Sequence, residues 1–123
     1  MFNHVGLRVR DAEASARFYA AILEPLGYVR DATGFGFGPT DAPALWLHQA
    51  GDQAGRGVHV AFDAPAREAV DAFHAAGRLA GAVDNGAPGL RTDYGAHYYA
   101  AFLVDADGNN IEAVCLVTPA GER

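Results

Sequence analysis

Apolar and polar positions first alternate along the chain and then recur at helical spacing, and this order occurs twice. From Asn3 to Val9, Val5, Leu7 and Val9 alternate with His4, Gly6 and Arg8, which predicts a strand with one apolar face. Ala14, Phe18, Ala21 and Ile22 then recur at i, i+4, i+7 and i+8, an apolar stripe along a helix. Asp11 is placed to cap that helix, and Pro25 and Gly27 to end it. The order returns at Val58. "GVHVAFDAPAREAVDAFHAAG" answers "FNHVGLRVRDAEASARFYAAI", setting His59 on His4, Val60 on Val5, Phe62 on Leu7 and Phe73 on Phe18 at a constant offset of 55. Val58, Val60 and Phe62 form the apolar face of this second strand. Pro65 suits the first helical turn, Val70 and Phe73 head the buried stripe, and Gly77 is placed as a C-terminal cap.

The remaining segments fill out each half. "GYVRD", "GFGFG" and "PALWLHQ" are short strands bounded by glycine or proline, and "AGDQAGRG" has the composition of a linker. Gly34 to Gly38 carries no lysine and opens no helix, so it is no phosphate loop; glycine there suits a close approach to the strand. After a weak strand near Leu79 to Val83, a turn-rich loop is placed to close over a ligand. Tyr98 to Val104 and Asn110 to Val117 predict a hairpin around "DADGNN", with Asp107 and Gly108 as its positive-φ residues. Thr118 to Arg123 reads as a frayed tail. Each half is then β-α-β-β-β, and the fold class is α+β. One domain spans 1–123, with module one over about 1–51 and module two over about 56–117.

Composition narrows the function. Half of the 123 residues are apolar, and no apolar run approaches a membrane span. The amino terminus alternates instead of forming an apolar block, so no signal peptide is expected. Cys115 is alone, which suits a reducing compartment; together these predict a cytoplasmic protein. A net charge of −6 argues against nucleic-acid and anionic-membrane partners and leaves a small-molecule ligand.

Alternation also sorts the chemistry. If Leu45, Leu47, Ile111 and Ala113 lie under the helices, then His4, His59, Trp46, His48 and Glu112 take the opposite faces. "ALWLHQ" closes the first half as "NIEAVC" closes the second, which sets Trp46 opposite Glu112. Two imidazoles and a carboxylate are a sound ligand set for a divalent transition metal, so His4, His59 and Glu112 are the candidate metal ligands. Glu112 and His48 are the candidate catalytic groups. Trp46, His48, Tyr98, Tyr99 and Arg91 are candidates for the substrate pocket, although adjacent Tyr98 and Tyr99 cannot share a face.

At "HVGLRVRDAEASARFYAAILEPLGY", "HVAF" and "DADGNNIEAV" the chain resembles the vicinal-oxygen-chelate superfamily, which joins glyoxalase I, bleomycin-resistance proteins, fosfomycin-resistance enzymes and extradiol dioxygenases. The resemblance covers nearly the whole chain. It implies two βαβββ modules related by a pseudo-twofold axis, curved mixed sheets around a cleft, and a homodimer. It also implies a divalent metal (Fe2+, Mn2+, Ni2+ or Zn2+) held at the positions of His4, Trp46, His59 and Glu112. Trp46 departs from the glyoxalase I pattern, which places Glu, Gln or His there. The remaining His-His-Glu set is the pattern of extradiol dioxygenases and fosfomycin-resistance enzymes. The resemblance therefore implies a metal-dependent enzyme acting on a substrate with vicinal oxygens, or alternatively a metal-free protein that sequesters a cationic ligand, as bleomycin-resistance proteins do.

Overall fold

The structure is a computed structural model and describes residues 1–121. Its first half runs β1 (Val5–Val9), α1 (Ala12–Leu23), β2 (Val29–Arg30), β3 (Gly36–Gly38) and β4 (Leu45–Gln49). The second half repeats the order with β5 (His59–Asp63), α2 (Arg67–Leu79), β6 (Val83–Leu90), β7 (Tyr99–Val104) and β8 (Asn110–Cys115). They form two four-stranded sheets, ordered β1-β4-β3-β2 and β5-β8-β7-β6. In each sheet the first strand pairs parallel with the last and the other pairs are antiparallel. A parallel pair needs a crossover, and the helix of each half lies within it. The result is an α+β fold of two βαβββ modules, with neither sheet closed into a barrel.

Register carries the duplication to single residues. Gly6 pairs with Trp46 in the first sheet, and Ala61, at the equivalent position, pairs with Glu112 in the second. The alternation holds in both closing strands: Leu45 and Leu47 are buried, as are Ile111 and Ala113. These residues, with Leu7, Val9, Ala101 and Leu103 and the inner faces of both helices, make one continuous core. The helix-bearing sides of the two sheets thus share an interior, and the helix-free faces turn away from it. Polar clamps join the halves. Tyr19, fully buried on α1, donates its hydroxyl to Asp105 Oδ2 at 2.5 Å, and Asp105 also accepts the backbone N–H groups of Asp107 and Asn109. Tyr28 donates to the Asp63 carbonyl at 2.7 Å.

Several local expectations shift. β1 begins at Val5, leaving His4 just ahead of the strand, and β5 begins at His59 with Val58 exposed; Val60 and Phe62 are only half-buried. The buried stripe of α1 is Ala12, Ala16, Tyr19, Ile22 and Leu23, so Ala21 is exposed and the helix is rotated to bring the Tyr19 phenol to Asp105. Pro65 precedes α2, whose N-cap is Ala66. Gly77 is no cap: it lies inside α2, where a Cβ would stand 2.2 Å from Leu103 Cδ1, and the helix stops before Gly81 at φ 96°. At the β7–β8 turn only Gly108 has positive φ; Asp107 does not.

The largest difference is β6. "VDNGAPGL" carries the glycines and proline of a loop, yet it pairs antiparallel with β7 through register shifts at Asp84/Gly86 and Gly86/Gly89. An edge strand tolerates proline because its outer N–H groups have no ladder partner. Residues 91–98 are left as a short turn, tied by Arg91 N–H to Tyr98 O at 2.7 Å and by Tyr94 N–H to Arg91 O at 3.0 Å.

Candidate functional site

The helix-free face of the second sheet centres on Glu112. β8 places it between Ala61 of β5 and Phe102 of β7, and it is only 2% exposed. A carboxylate so deep requires partners, and it has one at each oxygen. Tyr98 donates its hydroxyl to Oε2, and His59 Nε2 lies 2.9 Å from Oε1. The Tyr98 hydroxyl is pushed well above its ordinary pKa, first by burial and then by the Glu112 hydrogen bond and charge, so it stays a donor.

The far side of the imidazole fixes its chemistry. His59 Nδ1 lies 3.0 Å from the Asn110 carbonyl, and a carbonyl can only accept, so Nδ1 carries a proton. If Nε2 were bare, its lone pair would face a carboxylate oxygen at hydrogen-bond distance and be repelled. The contact needs something positive between the two atoms. A shared proton meets that need, and so does a cation. A carbonyl on Nδ1 with Nε2 turned to the site is also the usual arrangement of a metal-binding histidine.

Aromatic and cationic groups surround this pair. The His59 and Phe102 rings stack with centroids 6.3 Å apart, and the Arg91 guanidinium lies over Phe102, 5.4 Å from its centroid. Tyr94 meets Tyr98 edge-on at 5.3 Å. Of the two adjacent tyrosines, the helix-free face receives Tyr98. Tyr99 turns toward α2, where its hydroxyl donates to Asp71 Oδ1 at 2.6 Å and Arg67 lies over its ring. Tyr99 is therefore no part of this surface.

The first sheet's helix-free face carries the other candidates. Trp46 is half-buried and lies against Gly36, where a Cβ would come within 2.7 Å of the indole. His48 covers Gly6, where a Cβ would stand 2.9 Å from Nε2. His4 is exposed and bonds its neighbour, with Nδ1 2.6 Å from Asn3 Oδ1. His4 does not join His59 and Glu112: among the described residues of one chain, no three His, Cys, Asp or Glu side chains form a group that could hold a metal ion.

Phe102, Asn110 and the Tyr98–Glu112 bond are additions that sequence reasoning missed. Phe102 was within reach, since the hairpin register that ends at Val104 and Asn110 sets it opposite Glu112. Asn110 acts through its backbone carbonyl, which no side-chain pattern reveals.

A mixed-sheet α+β chain built from two βαβββ modules, with an imidazole and a carboxylate meeting on one helix-free face, defines a class of duplicated small domain. The model of the glyoxalase/bleomycin resistance protein/dioxygenase superfamily matches residues 1–113, and the chain belongs to that superfamily. Among solved structures it is similar to a glyoxalase/bleomycin resistance protein from Albidiferax ferrireducens, at 34% identity and a TM-score of 0.78, covering 94% of this chain and 98% of that one. A glyoxalase/dioxygenase from Nostoc punctiforme shares the fold at 24% identity and a TM-score of 0.67, covering 94% and 90% of the two chains. No curated protein matches the chain.

Proposed function

We propose that the protein is a metal-dependent enzyme acting on a small molecule with adjacent oxygens, at a site where the His59–Glu112 face of one copy meets His4 of a second. The observation that carries this reading is the His59 contact: Nδ1–H held by Asn110, Nε2 aimed at a buried carboxylate oxygen 2.9 Å away. Two adjacent ligands of a six-coordinate ion, each about 2.1 Å from it, stand about 3 Å apart, so the pair has the spacing of two neighbouring positions in one coordination shell. Imidazole with carboxylate suits Fe2+, Mn2+, Ni2+ or Zn2+. One chain supplies two donors, and His4 of another copy would supply the third. Bound there, the metal would polarise a substrate carbonyl or stabilise a developing enediolate. The chain's own residues hold the site: Tyr98 and Asn110 orient the ligands, Phe102 gives the substrate an apolar wall, and Trp46 and His48 would face it from the other copy, with His48 as proton carrier.

Pairing of copies has its own support. β1 and β5 are both free sheet edges. Phe2, Val5 and Val58, beside those edges, are 78%, 36% and 38% exposed. An apolar cavity of about 440 Å³ opens there, lined by Val5, Phe37, Leu45, Val60 and Phe62. Exposed apolar surface along unpaired edges is what a homodimer covers. A cytoplasmic location suits the buried, unpaired Cys115.

A second reading is a metal-free binding protein of the bleomycin-resistance type. It is favoured by the completeness of the pair, since the Tyr98 hydroxyl and a proton shared with His59 Nε2 satisfy both Glu112 oxygens without a metal. Equilibrium dialysis of chelator-treated protein against Mn2+ and Zn2+ separates the two. The enzyme reading expects about one ion per chain, held at least tenfold more weakly after Glu112→Gln or His59→Ala. Uptake that is absent, or that neither substitution changes, leaves the metal-free reading.

A further inference from the structure

We infer that Arg91 forms an oxyanion subsite on the helix-free face of the second sheet, so that the ligand taken there carries a terminal carboxylate or phosphonate. This deepens the proposed function by naming a substrate class for the same face. The chain has no lysine, and its net charge is −6, so each guanidinium has acidic groups available in the molecule. Among the described residues no carboxylate lies within salt-bridge distance of Arg91, as is true of every described arginine but Arg10; what sets Arg91 apart is its half-buried place over Phe102, beside the His59–Glu112 pair. Neutral groups hold it instead. One terminal nitrogen donates to Gly89 O at 2.9 Å and the other to Ala87 O at 2.7 Å, while the Phe102 ring supports the guanidinium.

The strand is shaped to receive it. A Cβ at Gly86 would stand 3.1 Å from one guanidinium nitrogen, and a Cβ at Gly89 would stand 3.3 Å from the other. The seat therefore consists of two glycines, two carbonyls and a ring. It orients the planar cation but leaves its charge uncompensated in a half-buried position. Two of the five N–H donors are used, which leaves three for the oxygens of a carboxylate or phosphonate. Phe102 also stacks with His59, so a single phenyl ring separates the cation from the proposed metal ligand. A small molecule with adjacent oxygens at one end and an oxyanion at the other spans that interval.

Arg91 could instead be only a staple for the irregular β6 strand, and the test must tell the two roles apart. Benzoate, phenylphosphonate and the neutral isostere benzamide are titrated into chelator-treated wild-type protein, followed by amide chemical shifts. At least one anion is expected to bind about tenfold more tightly than benzamide, with shifts at Phe102 and in the 91–98 turn. Stronger benzoate marks a carboxylate substrate, and stronger phenylphosphonate a phosphonate. Arg91→Gln, which keeps N–H donors without charge, should erase the preference for the anion and leave benzamide binding unchanged; Arg91→Lys should retain part of it. Equal binding of all three probes by wild type overturns the subsite, as does an anion preference that survives in Arg91→Gln. The first comparison needs no variant, so it stands even if Arg91→Gln does not fold. Metal is absent throughout, so failure of the metal centre and failure of the subsite are read separately.

Discussion

If His4 of one copy completes the His59–Glu112 pair of another, two broken proteins should repair each other. His4→Ala and His59→Ala each remove one imidazole from every site of a symmetric pair, so each variant alone loses metal. Mixed in equal amounts and allowed to exchange, half of the pairs contain one chain of each kind. In such a pair one site lacks both histidines, while the other takes His4 from the His59→Ala chain and His59 from the His4→Ala chain and is whole. The mixture should therefore recover about a quarter of wild-type metal binding, and a mixed pair isolated through two affinity tags about half. Both histidines are exposed and neither belongs to the core, but His59→Ala also takes a partner from the buried Glu112, so the melting temperature of each variant is measured before metal is added. Dialysis against Zn2+ with elemental analysis reads the stoichiometry. A mixture that binds no more than its components refutes the shared site. So does light scattering that gives a 12.9 kDa particle at micromolar concentration.

Two further predictions concern the scaffold that presents this face. Gly77→Ala sets two effects of opposite sign against each other: alanine gains about 1 kcal/mol of helix propensity, while its Cβ meets Leu103 Cδ1 at 2.2 Å in a fully buried contact, and overpacking costs about 1–3 kcal/mol. Urea denaturation should show net destabilisation that reverses in a Leu103→Val background; stabilisation in the wild-type background would show that Leu103 yields freely. Tyr19→Phe removes a buried donor from Asp105 and should cost about 1.5–3 kcal/mol at neutral pH, as loss of a hydrogen bond to a charged group does. Burial and Asp105 push the Tyr19 hydroxyl far above its ordinary value of 10.0. A raised native value contributes stability that is whole below pH 10 and is lost as pH climbs above it, because the unfolded chain ionises first. The gap between wild type and Tyr19→Phe should therefore narrow in melts above pH 10, and a constant gap would place the hydroxyl outside the tie to Asp105.

The duplication was legible because it rests on periodicity that the sheets enforce. Once Leu45, Leu47, Ile111 and Ala113 must be buried, the positions of Trp46, His48 and Glu112 follow; the 55-residue offset matches Gly6 with Ala61, the likeness of the closing strands matches Trp46 with Glu112, and the register pairs them accordingly as Gly6–Trp46 and Ala61–Glu112. Less was visible where local composition and tertiary context disagree. Glycine and proline disguised β6 as a loop, because an edge strand has no ladder to break on its outer side. The spacing of Ala14, Phe18, Ala21 and Ile22 sets the stripe of α1 to one side of Tyr19, because the partner that draws Tyr19 inward, Asp105, lies 86 residues away. Gly77 has the composition of a cap, and only the nearness of Leu103 shows that it is a space-maker.

The relation between the two helix-free faces follows from packing. Duplication placed equivalent positions on both sheets, and the halves then diverged: the first put an indole over Gly36, the second a buried carboxylate between Ala61 and Phe102. Sequence alternation shows that His4, His59 and Glu112 avoid the helices but says nothing about which faces meet. That is decided by the core. Leu7, Leu47, Leu103 and Ile111 belong to a single interior, so within one chain the modules join by their helix-bearing sides and the faces carrying the imidazoles are turned away from that junction. A site that combines unlike halves of this duplication must then draw them from different chains, or each face must work alone with the groups it has. The second sheet's face is equipped for either course, with Glu112 held by Tyr98, His59 held by Asn110 and a cation seated beside them; the first sheet, with His48 exposed on the strand that bears Trp46 and His4 exposed just ahead of β1, has donors but no buried carboxylate to gather them around an ion.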